Sequence, residues 1–280
     1  MARIGVTGIP DPYHFFGTFA GLPFWGGGLT LLSAAPGIGK TSWMLRMLLN
    51  AAASGVPSAL GCYEHTEDEL KFRLSKQAEA MVGGPHAGVP VTDVEDTLAQ
   101  SANGILLALD DKKDTIRSLE EALLKLYGFP EKGNALVLVD YLNRIPVVGL
   151  TGVQPVETRS GDAAIELREM AKRHGWAVLA AAALEADSFA GKEVFDLSDL
   201  FGDERVPYTA DRVYVIARSG QPMPCGCVDL AIHTLKDRTG PVRNWDMQFW
   251  GARFYPALEE EKDTHVTAIM VPTLKKELVG

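Results

Sequence analysis

The segment Ala34–Thr41 reads AAPGIGKT and constrains the fold more than any other stretch of the chain. An aliphatic run, Leu29–Ser33, precedes it, and a helix-like stretch, Lys40–Ala53, follows. A strand that enters a helix through a glycine-bearing loop is the setting in which this pattern becomes a phosphate-binding loop. Gly37 and Gly39 let backbone N–H groups close around phosphate, and the helix N-terminus adds positive potential. The expected nucleotide contacts are Ala35, Pro36, Gly37, Ile38, Gly39, Lys40, Thr41 and Ser42. Lys40 is a mobile cation for the β- and γ-phosphates, and the Thr41 hydroxyl is placed to ligate a metal. ATP and Mg2+ are therefore the expected ligands.

A strand–loop–helix unit implies more of the same kind. Apolar strand-like runs alternate with helix-like stretches, as βαβ units around a mainly parallel sheet require. Ala59–Tyr63 reads as a strand and Glu67–Met81 as a helix. Ile105–Leu109 is a short strand, followed by a helix from Thr115 to Tyr127. Ala135–Val139 is continuously aliphatic, as a strand covered on both faces should be. Gly161–His174 reads as helix and Ala177–Ala183 as a further buried strand. Beyond Asp211 the strands come closely spaced, at Val213–Ala217, Val228–Leu235 and Trp245–Phe249, which predicts an antiparallel C-terminal extension of the sheet. The Gly-, Pro- and Ala-rich stretch Gly83–Asn103 gives no clear pattern. The expected organisation is one ATPase domain over 29–280. An N-terminal segment, 1–28, carries aromatics (Tyr13, Phe15, Phe16, Phe19, Phe24, Trp25) suited to pack on the core or on a neighbouring subunit.

A phosphate loop needs an acidic residue to hold the metal's water shell. LVLVDYLN at Leu136–Asn143 delivers Asp140 to the end of an aliphatic strand, the edge where open α/β sheets bind ligands. Alone it would read as a buried strand ending at a surface acid, and the phosphate loop turns it into a metal ligand. Hydrolysis also needs a group that orients or deprotonates water. CYEHTEDEL at Cys62–Leu70 places Glu64 just after a strand expected to adjoin the phosphate-loop strand, making Glu64 the candidate catalytic carboxylate. Thr66 suits a helix N-cap and Glu67 a stabilising first-turn acid, while Asp68 and Glu69 read as surface charges.

The chain has 280 residues, 46% of them hydrophobic and 22% charged, with a formal charge of −9. That balance argues against a broad basic face for nucleic acid, which normally shows excess Lys and Arg. Any such contact must come from a local feature. Three cysteines cannot build a framework of bridges, so a reducing cytoplasm is the expected setting. Cys225 and Cys227 read as a hairpin turn, since further metal ligands are lacking nearby. The apolar runs are too short to span a bilayer.

Taken in order from Gly21 to Phe254, the motifs resemble the ATPase domain of DnaB-type replicative helicases, a RecA-like phosphate-loop fold: a mainly parallel twisted sheet flanked by helices. In that family the phosphate loop begins with Ala and has Pro two residues on, as in Ala34-Ala35-Pro36. The Asp-Tyr-Leu at Asp140–Leu142 resembles its Walker B segment, and Glu64 corresponds to the acidic residue of its second strand. DLSDL at Asp196–Leu200, TADRVYVIAR at Thr209–Arg218 and LKDRTG at Leu235–Gly240 resemble later family segments. The last implies that Lys236 and Arg238 reach a neighbouring subunit's ATP site, with Arg238 as the arginine finger. Without the other matches both would read as a solvated hairpin tip. The resemblance thus implies catalytic Glu64, Lys40, Lys236 and Arg238, and metal-binding Thr41 and Asp140. It also implies a hexameric ring with ATP sites between subunits, single-stranded DNA as a candidate ligand, and a replication protein as partner. KaiC-like and RecA-like ATPases share the phosphate loop and the second-strand Glu.

The chain departs from that family in specific places. A full-length helicase of this type carries an N-terminal domain that organises the ring and binds primase, for which these residues leave no room. The family ends the strand corresponding to Ala177–Leu184 with a Ser-Gln pair that senses the γ-phosphate. Here those positions are Ala182 and Ala183, whose side chains cannot hydrogen-bond, and Glu185 is a weak substitute. The expected pore loops are thin in cations: Pro146–Gly161 offers Arg159, and Asp187–Pro207 offers Lys192 and Arg205. The expectations therefore divide between a ring that moves on single-stranded DNA and a regulatory or assembly ATPase whose nucleotide state controls oligomerisation or partner binding.

Overall fold

A computed structural model describes residues 15–19, 22–83, 104–126, 128–147, 156–188, 192, 194–223 and 226–257. In chain order its elements are β1 (Phe15–Phe19), β2 (Leu22–Trp25), β3 (Leu29–Ala34), α1 (Lys40–Ala53), β4 (Ser58–Cys62), α2 (Glu67–Gly83), β5 (Gly104–Ala108) and α3 (Ile116–Lys125). There follow β6 (Leu136–Asp140), α4 (Val156–His174), β7 (Ala177–Ala182), α5 (Arg205–Thr209), β8 (Arg212–Arg218), β9 (Cys227–Asp237), β10 (Trp245–Trp250) and β11 (Tyr255–Ala257).

β3 to β11 form a nine-stranded sheet in the order β11-β10-β9-β8-β3-β7-β6-β4-β5. From β8 to β5 the neighbours pair in parallel, and β9, β10 and β11 add antiparallel. The antiparallel extension therefore begins one strand later than its sequence texture implies, because β8 pairs in parallel with β3. A second correction concerns β4. It does not adjoin the phosphate-loop strand: β7 and β6 lie between them. Glu64 therefore enters the site from the Asp140 side, through the β4–β6 pairing that sets Cys62 opposite Asp140.

The central strands read as unbroken aliphatic runs because both faces are covered. Every residue of β3, β6 and β7 is buried. Alternation along β6 sends Leu136 and Leu138 into one apolar layer with Trp43, Met44 and Leu48 of α1. Val137 and Val139 go into the other, with Leu119 and Leu123 of α3 and Leu167 and Met170 of α4. Truncating such a residue to Ala costs about 2–5 kcal/mol, so the strand end that carries Asp140 is held by packing on two sides.

Of the N-terminal aromatics, Phe19 and Phe24 are buried in this chain's own core. β1 and β2 pair as a separate antiparallel hairpin, and Phe19 and Phe24 join the layer around α1. The Trp25 ring lies 3.7 Å from the Arg212 guanidinium carbon. Tyr13 and most of Gly83–Asn103 lie outside the described residues. The α4 helix starts at Val156, ahead of the expected Gly161. Among the described residues no helix is long and apolar enough to cross a membrane.

Candidate active site

The loop from Ala35 to Gly39 leaves β3 and enters α1, with Gly37 at φ 77° and Gly39 at φ 103°. Both values lie in the left-handed region that side chains rarely adopt. Gly39 is also the N-cap of α1, with no side-chain cap and no acidic residue in the first turn. The first N–H groups of α1 and its partial positive charge are thus left for an anion. A Cβ on Gly39 would sit 3.0 Å from the Phe249 ring, so β10 presses an aromatic face against the loop.

Lys40 is half-buried and donates to the Ala34 and Ala35 carbonyls, at 2.8 and 3.4 Å. Burial pulls its pKa down, against the opposing pull of Asp140 and Glu64. The Thr41 hydroxyl donates to Asp140 Oδ2 at 2.6 Å. Asp140 is buried, and its Oδ1 has no hydrogen-bond partner. Burial raises its pKa, opposed by the Thr41 bond and by Lys40. The Cys62 thiol lies 3.9 Å from Asp140 Oδ2, and burial together with that carboxylate pushes it up to about 12. It is a neutral, buried neighbour of Asp140 rather than a nucleophile.

Glu64 is exposed at the cleft. A ligand atom from each of Glu64, His65 and Asp140 lies within 4.8 Å of the others. The carboxylate oxygens of Glu64 and Asp140 and the Thr41 hydroxyl are hard donors that fit a divalent cation such as Mg2+, while His65 brings a nitrogen. Arg73 reaches to 3.0 Å from His65 Nε2; since guanidinium only donates, Nε2 accepts. Thr66 caps α2 as expected. Glu69 is more than a surface charge, because its carboxylate accepts from Thr66 N–H at 2.9 Å while Glu69 N–H donates back to the Thr66 hydroxyl, a capping box.

The phosphate loop, Lys40, Thr41, Glu64, His65 and Arg73 line a cleft of about 380 Å³ together with Tyr141, Ala183, Leu184, Phe249, Gly251 and Phe254, and Asp140 is buried beside it, bonded to Thr41. His65, Arg73, Phe249 and Phe254 went unmarked in the sequence, where aromatic residues in strands read as core. Ala183 stands at the cleft with only a methyl group, as its position requires. Glu185 does not line it.

Lys236 and Arg238 are elsewhere. β9 runs antiparallel to β8, so its end pairs with the start of β8, Arg212 opposite Asp237. That is the sheet edge opposite the phosphate loop. Lys236 Nζ donates to the Pro207 and Tyr208 carbonyls at 2.8 and 3.1 Å. Arg238 donates to Asp211 Oδ1 at 3.3 Å and to the Tyr208 carbonyl at 3.2 Å. The expected pore cations are engaged within the chain. Arg159 donates to the Asn143 carbonyl, Lys192 pairs with Asp199, and Arg205 pairs with Asp162 and Asp203. Cys225 and residues 148–155 lie outside the described residues.

The family description "DnaB-like helicase C terminal domain" matches residues 19–254. No curated protein matches the chain. Among solved structures, one similar chain is an ATPase domain, with TM-score 0.66, 15% identity, and coverage of 82% of this chain and 84% of that one. Another is a DnaB-like replicative helicase studied for its interactions with primase, with TM-score 0.68 and 16% identity; it covers 83% of this chain, which spans 57% of its length.

Proposed function

This chain belongs to the family of DnaB-like helicase C-terminal domains, which are ATPase motors, and we propose that it turns over Mg2+-ATP in sites completed by a neighbouring copy of itself. One observation carries the reading. Lys40, Thr41, Glu64 and Asp140 meet at one edge of the sheet, while Lys236 and Arg238 stand at the opposite edge, out of reach of their own cleft. A head-to-tail contact that sets one copy's Arg238 edge against the next copy's cleft uses both, and such contacts form a ring where their rotation closes. A hexamer is the expected ring.

In this reading the loop amides from Gly37 to Thr41 cradle the phosphates, and Lys40 leaves the Ala34 and Ala35 carbonyls to pair with the β- and γ-phosphates. The Thr41 hydroxyl and Asp140 would hold Mg2+, which when bound would supply neutralisation of the phosphate charge. Glu64 orients a water and takes its proton as the water oxygen bonds to the γ-phosphorus and the bond to the β-phosphate oxygen breaks, releasing ADP and phosphate. Arg238 from the neighbour stabilises the charge on the transferred group. Phe254 and Arg73 offer an aromatic and cationic surface for the base.

Single-stranded DNA is the proposed track, and a replication protein the proposed partner. A second reading, a regulatory ATPase, is favoured by a specific observation: Arg159, Lys192 and Arg205 already have partners within the chain. Steady-state hydrolysis with and without single-stranded DNA, across protein concentration, separates the two. Stimulation by DNA with turnover rising cooperatively supports the ring motor, and hydrolysis indifferent to DNA supports the regulator.

A further inference from the structure

Asn143 lies in the short 3₁₀ turn Leu142–Arg144 that leaves β6 just after Asp140. It is 5% exposed, and its side-chain amide uses both N–H donors and its acceptor oxygen. Oδ1 accepts from Ala183 N–H at 3.0 Å. The Ala183 carbonyl accepts from Phe201 N–H at 3.0 Å, and Asn143 Nδ2 donates to the Phe201 carbonyl at 3.3 Å. The ring of hydrogen bonds thus closes on itself, with the Asn143 amide acting as one more peptide in a strand pairing. That pairing continues through the Leu184–Leu200 bridge and the bond from Glu185 N–H to the Asp199 carbonyl.

The same Nδ2 also donates to Ser160 Oγ on α4 at 2.9 Å. Packing on that side leaves no slack. Gly202, at φ 125°, faces Ser160 so closely that a Cβ there would lie 3.2 Å from the Ser160 Cβ. Gly161 lies under the Arg205 guanidinium, and Arg205 pairs with Asp162 at 2.6 Å. Ala183 and Leu184 line the nucleotide cleft. This wall of the cleft is therefore hydrogen-bonded directly to residues 199–201 and, through one buried amide, to the first turns of α4.

Ala182 and Ala183 carry no side-chain donor or acceptor, so a change at this wall of the cleft can leave it only through backbone and packing. We propose that Asn143 is a positioning residue that couples occupancy of the cleft, carried to residues 199–201 by the backbone pairing, to the first turns of α4. Its amide makes the three segments shift together; without it, Ala183 and Phe201 move independently of α4. The inference rests on the cleft binding ATP.

Hydrogen exchange on the full chain, with and without Mg2+ and a slowly hydrolysed ATP analogue, tests it. In the wild type, nucleotide should change protection at the phosphate loop, at 199–205 and at 158–162. In Asn143→Leu, which keeps the shape and removes the polar atoms, the changes at the phosphate loop and at 199–205, which the backbone pairing carries, should remain and the change at 158–162 should be lost. A response at 158–162 that survives Asn143→Leu overturns the proposal, because the amide is then structural alone. A wild type that responds at the phosphate loop but not at 158–162 also overturns it. No response at the phosphate loop in the wild type would instead remove the ATP-site reading on which it rests. Should Asn143→Leu fail to fold, Ser160→Ala takes its place. That variant should lose the response at 158–162 and keep the one at 199–205, and an unchanged response at 158–162 counts against the coupling.

Discussion

Thr41 and Asp140, 99 positions apart in the chain, are joined by a 2.6 Å hydrogen bond from the Thr41 hydroxyl to Asp140 Oδ2, and the other oxygen of that buried carboxylate has no partner. A buried, half-satisfied carboxylate costs folding free energy unless a cation or further donors meet it. Its raised pKa has the matching sign. A carboxyl whose folded pKa lies above its unfolded value favours the folded state below the unfolded pKa and loses that contribution as pH rises through the folded one.

Asp140→Asn should therefore fold at least as stably as the wild type at neutral pH without divalent cation, while losing the thermal stabilisation that Mg2+ gives. Turnover should fall by about a hundredfold or more, the scale of removing a transition-state electrostatic contact. Melting curves with and without Mg2+ check the first part and steady-state ATP hydrolysis the second. A variant that keeps the Mg2+-dependent shift would take Asp140 out of the metal site.

Gly39 is constrained twice, by φ 103° and by the Phe249 ring 3.0 Å from where its Cβ would be. Gly39→Ala should cost about 1–2 kcal/mol for the left-handed backbone alone, and should weaken nucleotide binding by distorting the loop. Adding Phe249→Ala relieves the contact but not the dihedral, so binding of a fluorescent ATP analogue should recover in part. Full recovery would mean that the ring alone dictates glycine; no recovery would assign the whole effect to the backbone.

How far the sequence reaches is plain from particular residues. The phosphate loop, the helix from Lys40 to Ala53 and the strand delivering Asp140 were legible because local sequence dictates each one: glycines where φ is positive, aliphatics where both faces are covered. The neighbours of β4 were not legible. Strand order in a parallel sheet is set by how crossover connections pack, and adjacency in sequence misplaced β4 beside β3. Phe249 and Phe254 were missed because an aromatic near a strand looks the same whether it fills the core or walls a cleft. Asn143 was missed because an Asn after a strand reads as a turn residue until Ala183 and Phe201 are seen to close a ring through it. β11, at three residues, is too short to carry a periodic pattern.

Glu120 ties α3 to the end of α4 by pairing with Arg173 and His174. Burial raises its pKa, but the bonds from Arg173 and His174 outweigh burial and hold it below the usual carboxylate value. A carboxylate with a lowered folded pKa stabilises the fold above its unfolded pKa and loses that contribution as pH falls through the folded one. Glu120→Gln should therefore be less stable than the wild type at neutral pH, and the gap should narrow on acidification below the ordinary carboxylate range. Urea melts across pH check this; a gap independent of pH would mean that the pair contributes by packing alone.

Arg238 stands at the sheet edge away from its own cleft, with its side chain 47% exposed. Its contact with Asp211 is the weaker of two, since Arg168 holds the same carboxylate with bonds of 2.6 Å to each oxygen. Arg238→Ala should therefore leave the melting temperature nearly unchanged and nucleotide binding intact. It should nevertheless cut hydrolysis by about a thousandfold, the scale of an arginine finger supplied from outside the site. Glu64→Gln should be equally inactive for a different reason, because its cleft lacks the residue that positions water. Mixing the two variants gives assemblies in which some clefts combine an intact Glu64 with an intact Arg238 from the neighbour. Turnover in the mixture above that of either variant alone is the expected result. A mixture that co-assembles, as judged by light scattering and differential tagging, yet shows no gain would place Arg238 outside the neighbouring site and remove the main support for hydrolysis between subunits.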